Sequence, residues 1–102
     1  MIKVLITKKS GLITKVQAQG HSGYGPAGKD IICAGVSALL QALKIGLEEL
    51  AGSKLGIIED GFLTCPVSPD SQAQFLARVI EQSLIQMATA YPKYLQIERG
   101  RG

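Results

Sequence analysis

The single histidine of the chain, His21, and one of its two cysteines, Cys33, stand twelve residues apart. Between them runs Ser22-Gly23-Tyr24-Gly25-Pro26-Ala27-Gly28-Lys29, mostly small residues without hydrophobic periodicity. Glycine and proline weaken regular structure, so this segment reads as a loop, and its composition does not suit packing. A cysteine is a nucleophile once ionised, and an imidazole within hydrogen-bond reach can serve as its base. The chemistry these two residues point to is covalent acyl transfer through a thiolate.

Cys33 follows Asp30-Ile31-Ile32, where a helix is expected to begin. Asp30 is a good N-cap, which puts Cys33 in the first turn. Main-chain N–H groups and the positive end of the helix dipole favour a thiolate there. The plain alternative is a small buried hydrophobe, as most free cysteines are. For His21 the alternative is a loop histidine without a role. Asp30 fits two jobs: capping the N–H of Ile32 or Cys33, or orienting His21 as the third member of a triad. A carboxylate so close also opposes ionisation of the thiol, unless a protonated His21 lies between them. Ser37 falls one turn after Cys33 on the same face. Its hydroxyl either reaches the site or bonds back to the Cys33 carbonyl. Oxyanion stabilisation is expected from main-chain N–H groups at the helix start and in the loop.

Cys65 stands before Pro66 with no base beside it and reads as structural. A zinc site from His21, Cys33 and Cys65 lacks a fourth protein ligand and the Cys-x-x-Cys spacing, so no metal is expected. Gly23 to Gly28 has the spacing of a phosphate loop. Lys29 is followed by Asp30 where that loop needs Ser or Thr, so no nucleotide or other cofactor is expected.

The elements that must position these residues follow from periodicity. Ile2, Val4 and Ile6 alternate with Lys3, Leu5 and Thr7, a strand. Lys8-Lys9-Ser10-Gly11 is a turn signal. Leu12 to Gln19 is a second strand, with Thr14, Val16 and Ala18 on one face and Ile13, Lys15 and Gln17 on the other. The helix capped by Asp30 runs to about Ala51, with Ile32, Val36, Leu39, Leu43, Leu47 and Leu50 along one stripe and Gly52 as its C′ residue. Gly35 and Gly46 inside it each cost roughly 1 kcal/mol relative to Ala, which close approach of another element would justify. Lys54–Glu59 and Phe62–Cys65 flank Asp60-Gly61, a strong hairpin signal. Ser68-Pro69-Asp70 starts a second helix, with Ala73, Leu76, Ile80, Leu84 and Met87 inward, ended by Tyr91-Pro92. Tyr94 to Glu98 is a fifth strand before a polar tail, Arg99 to Gly102. The order β-β-α-β-β-α-β predicts an α+β sandwich: a mostly antiparallel five-stranded sheet with two helices, one domain over residues 1–102.

Composition narrows the function classes. Apolar residues make up 46% of the 102 and charged residues 19%, enough for a core and too apolar for disorder. With no Trp and two Phe the core is aliphatic, and a small aliphatic core favours completion by a second copy, a homodimer. A net charge of +3 is mildly basic, without an RNA-binding signature or dense Lys/Arg stripe, so direct nucleic-acid binding is not expected. No apolar run approaches the length of a membrane span, and the first residues show no signal-peptide pattern, so a cytoplasmic protein without a membrane partner is expected. Two rivals to the acyl-transfer reading stand: a non-enzymatic dimeric ribosome- or RNA-associated binding module, and a thiol-redox sensor, which has no obvious resolving cysteine unless Cys65 comes close.

Gly20-His21, the glycine-bearing loop and the run Gly28-Lys29-Asp30-Ile31-Ile32-Cys33-Ala34-Gly35-Val36-Ser37-Ala38 resemble the signature of the ribosomal-processing cysteine proteases, the Prp family. The likeness extends over the chain in length and element order, while the specific motif is about a fifth of it. The resemblance implies a small homodimeric cytoplasmic endopeptidase. Its implied substrate is a precursor of a bacterial large-subunit ribosomal protein, the twenty-seventh by the usual count, whose N-terminal extension is removed before ribosome assembly. It implies His21 and Cys33 as the catalytic dyad and Asp30 and Ser37 as supporting residues. It also implies a substrate-ordering loop over Ser22 to Lys29. Members often carry Ala after the histidine and acidic residues within the loop. Ser22 and Tyr24-Gly25-Pro26-Ala27 depart from that pattern, and Pro26 stiffens the segment.

Overall fold

The chain runs β1 (Ile2–Lys9), β2 (Leu12–Gln19), α1 (Ile31–Ala51), β3 (Ile57–Glu59), β4 (Phe62–Pro66), α2 (Ser71–Ala90) and β5 (Leu95–Arg101), the order expected from the sequence. This is a computed structural model that describes residues 1–26 and 30–101. One five-stranded sheet has the order β3-β4-β2-β1-β5. Every neighbouring pair is antiparallel except β1 and β5, which run parallel because α2 carries the chain back before β5 begins. Inward residues of the strands, Val4, Ile6, Val16 and Leu63 among them, form one buried cluster with the apolar stripes of both helices.

The helices meet through the two α1 glycines. A Cβ on Gly35 would lie 3.0 Å from Met87 Cε, and one on Gly46 would collide with Leu76 Cδ2. Leu76 and Met87 pack against the core and against α1 while staying partly exposed, and Ala77, 1% exposed, is buried beside Leu76. On α1 the buried stripe is Ile32, Val36, Leu40, Leu43 and Leu47. Leu39 is half-buried beside it and Leu50, in the last turn, is exposed. By length and a mean hydropathy of 1.6, α1 is apolar enough to cross a membrane, contrary to the sequence expectation; here it is the core helix.

Strand boundaries differ from the sequence reading, by one residue at the end of β4 and the start of β5 and by more in three places. β1 continues through Lys8 and Lys9, and the turn is Ser10-Gly11, both with left-handed backbone. β3 is only three residues long: Gly56 has φ +67 and lies against the Thr64 carbonyl, while Leu55 N–H donates to Glu48 Oε2 at 2.8 Å and leaves the ladder. The supposed tail is strand, since β5 pairs with β1 as far as Lys8 and Arg101. Arg99 Nε there reaches the buried Glu81 of α2 at 3.4 Å, which also pairs with Lys8.

β2 carries a bulge. Thr7 pairs with Lys15 but Lys8 pairs with Ile13, so Thr14 is the extra residue. Parity flips there, and Ile13 turns inward with Val16 and Ala18, whereas simple alternation placed it outward. Beyond Lys15 the outer edge of β2 has no strand partner, and Gln74 takes that place. Ile13 N–H donates to Gln74 Oε1 at 2.9 Å, and Gln74 Nε2 donates to the Ile13 and Ser68 carbonyls at 2.7 and 2.9 Å. Gln74→Leu leaves Ile13 main-chain groups buried and unpaired. It is expected to cost about 2–4 kcal/mol in urea unfolding, and a loss below about 0.5 kcal/mol would rule out this role for Gln74.

Candidate active site

β2 delivers His21 and α1 delivers Cys33. At the end of β2, Gly20 has φ +95 and leaves no room for a Cβ beside the Met1 carbonyl. Gly20 N–H donates to the Gly61 carbonyl at 2.9 Å, which pins the end of β2 to the β3–β4 turn. His21 is exposed, and its ring rests on Gly61, where a Cβ would lie 2.9 Å from Nε2.

Asp30 caps α1 with one oxygen and gathers the loop with the other. Oδ1 accepts from the Ile32 and Cys33 N–H groups at 3.1 and 2.9 Å. Oδ2 accepts from the Ser22 hydroxyl and from the Tyr24 and Gly25 N–H groups. The Ser22 hydroxyl first, and after it the Cys33 N–H, hold the Asp30 carboxyl down at about 2, so it is ionised near neutral pH. Among the described residues it makes no hydrogen bond to His21. The capping job is the one it performs, extended to the loop.

Cys33 is half-buried in the first turn, and its Sγ accepts from the Ser22 N–H at 3.2 Å. The Ile32, Cys33 and Ala34 N–H groups all donate to Asp30, to its carboxylate or its carbonyl. These helix-start donors, expected to be open to an oxyanion, are therefore occupied. Ser37 is exposed, and among the described residues its hydroxyl bonds neither to the Cys33 carbonyl nor elsewhere. Cys65 has 0% exposure, its thiol points to the Pro66 carbonyl, and burial pushes its pKa up. That is the structural cysteine expected, and no disulfide joins it to Cys33.

His21, Cys33 and Ser37 line one cavity of about 340 Å³. Its walls are mixed: Ile2, Val36, Leu40 and Leu63 are apolar, Gln19 and Gln41 polar, and the β3–β4 hairpin adds Ile58, Glu59, Asp60, Gly61 and Phe62. His21 and Cys33 share no hydrogen bond among the described residues, a looseness common in sites without substrate. The sequence marks this segment as a hairpin but does not place it in the site. The Asp60-Gly61 signal was visible, but its partner was not. Sequence reasoning also missed the docking of Tyr24 against Tyr91 and Tyr94, edge-on at 5.9 and 5.1 Å between centroids. Of the loop residues singled out from the sequence, Ser22, Gly23, Tyr24, Gly25 and Pro26 are described; Ala27, Gly28 and Lys29 lie outside the described residues.

Comparison with known proteins bears on this cavity. The chain is similar to a crystal structure of an essential ribosomal processing protease Prp from S. aureus in complex with a covalently linked product peptide. The TM-score is 0.82 at 27% identity, over 97% of this chain and 99% of that one. It is equally similar to SMU.848 from Streptococcus mutans, TM-score 0.82 at 26% identity, over 100% of this chain and 96% of that one. A second S. aureus Prp structure, in complex with a substrate peptide, shares the fold with a TM-score of 0.79 at 24% identity over 97% and 99% of the two chains. No curated protein matches. The family model for cysteine protease Prp matches residues 1–96, which takes in every residue of the cavity, and the chain belongs to that family.

Proposed function

We propose that this chain is a cysteine endopeptidase that removes the N-terminal extension of a large-subunit ribosomal protein, the twenty-seventh by the usual count, during bacterial ribosome assembly. His21 accepts the Cys33 proton, and the thiolate adds to the scissile carbonyl. The C–N bond breaks as the imidazolium returns that proton to the leaving amine. Water, deprotonated by His21, then hydrolyses the thioester, releasing the acid and restoring the thiol. Asp30 and Ser37 support the site, the first through the cap and loop, the second as a hydroxyl at the cavity wall.

The observation that carries this reading is the meeting of the only histidine and the helix-start cysteine at one open cavity in a Prp-family chain. The bound peptides of the S. aureus relatives support a peptide as the ligand. The reading includes a cytoplasmic homodimer; Ile31 and Ile45, 59% and 61% exposed on α1, are apolar surface that a second copy would cover. The test is incubation with the extended ribosomal protein followed by intact mass. One cut, releasing the extension and sparing a precursor made without it, is expected. An uncut precursor overturns the assignment of this substrate.

A further inference from the structure

Ser22 is a buried polar side chain between two exposed neighbours, His21 and Gly23, with 3% of its surface exposed. Its hydroxyl donates to Asp30 Oδ2 and accepts from the Tyr24 N–H at 3.1 Å. Its main-chain N–H donates to Cys33 Sγ at 3.2 Å. One residue thus holds the sulfur with its amide and the capping carboxylate with its side chain. Asp30 closes the ring by accepting from the Cys33 N–H.

We propose that Ser22 is a positioning residue for the Cys33 thiolate: its hydroxyl, anchored on Asp30, holds its amide against the sulfur and quiets a carboxylate that otherwise repels the thiolate. The inference rests on the reading of Cys33 as the reactive thiol. Two effects act in the same direction. An N–H bond to an ionised acceptor is charge-assisted and favours the ionised form. The Asp30 charge persists near neutral pH, and each donor bound to it weakens its repulsion of a neighbouring anion. Among the described residues, the other titratable groups lining the cavity with Cys33 are His21 and, from the β3–β4 hairpin, Glu59 and Asp60. Among the described residues none of them hydrogen-bonds Ser22 or the sulfur. From α2, the contact on this part of α1 is the uncharged Met87, at Gly35.

The experiment is the pH dependence of Cys33 alkylation by iodoacetamide in the full chain, followed by intact mass, for wild type, Ser22→Ala and Ser22→Thr. Ser22→Ala is expected to react about threefold to tenfold more slowly near pH 7, with the same limiting rate at high pH, so that its profile moves to higher pH. Ser22→Thr keeps the hydroxyl and stays within about twofold of wild type. A Ser22→Ala profile that overlays the wild type overturns the proposal, as does a slowing equal at every pH, which marks access alone. The unaltered chain gives a second check that no folding defect can obscure. Its Ser22 amide proton resonance is expected to follow the pH midpoint of alkylation, and an unresponsive amide overturns the proposal. Alkylation needs no substrate. An unalkylated wild-type chain that cleaves nothing, although its Cys33 alkylates with the expected profile, overturns the protease reading alone, whereas a cleaving chain whose profile does not move on Ser22→Ala overturns this inference alone.

Discussion

Cys33→Ala is expected to abolish cleavage of the ribosomal precursor, by about 10⁴-fold or more, in a chain that still folds. In the proposed chemistry the sulfur supplies the electron pair that forms the acyl-enzyme, and no neighbouring group replaces it. Ser37 is one turn away and has no base bonded to it among the described residues. Cys65 is sealed in the core. The fold loses little, because Cys33 is only half-buried and the bond its sulfur accepts from the Ser22 N–H is worth about 1 kcal/mol. The check is an intact-mass time course beside a thermal melt. Retention of a tenth of the wild-type rate by a folded Cys33→Ala chain would place the nucleophile elsewhere.

His21→Ala is expected to lower cleavage by about 10²- to 10⁴-fold while leaving Cys33 open to alkylation. The imidazole is exposed and packs on Gly61, so its loss removes a base and little packing. The same position can be perturbed from the far side of the cavity. Gly61→Ala adds a methyl 2.9 Å from His21 Nε2, at φ +72 where an L residue is strained, and the ring must move. It is expected to reduce cleavage without substituting either member of the dyad. Steady-state rates across pH check both variants. A His21→Ala chain within about threefold of wild type would exclude His21 as the base.

Much of the fold was legible in local pattern. Alternation from Ile2, the Asp30 cap, the Gly52 terminus and the Asp60-Gly61 hairpin depend on residues close in sequence, and each appears where its pattern puts it. The intrahelical glycines were readable as close-approach positions because glycine costs a helix stability, although the occupants, Leu76 and Met87, were not nameable. The errors share a cause. Ile13 faces inward because a bulge at Thr14 flips the pleat, and a bulge is decided by pairing with another strand. Arg99 to Arg101 are strand because β1 offers them an edge. Gln74 and Glu81 are buried because main-chain groups of Ile13 and the cations of Lys8 and Arg99 meet them there.

The sequence by itself determined the element order, the cap that sets Cys33 at a helix start, and the pairing of a lone histidine with that cysteine as the chemistry to look for. Those rest on short-range hydrogen bonding and periodicity, which residue types carry with them. Only the tertiary structure decided that, among the described residues, Asp30 gathers Ser22, Tyr24 and Gly25 and does not bond to His21, that the Ile32, Cys33 and Ala34 amides are occupied, and that the β3–β4 hairpin walls the cavity. These are contacts between segments that become neighbours when the sheet and helices pack, so the burial and hydrogen-bond demands of the whole chain select them.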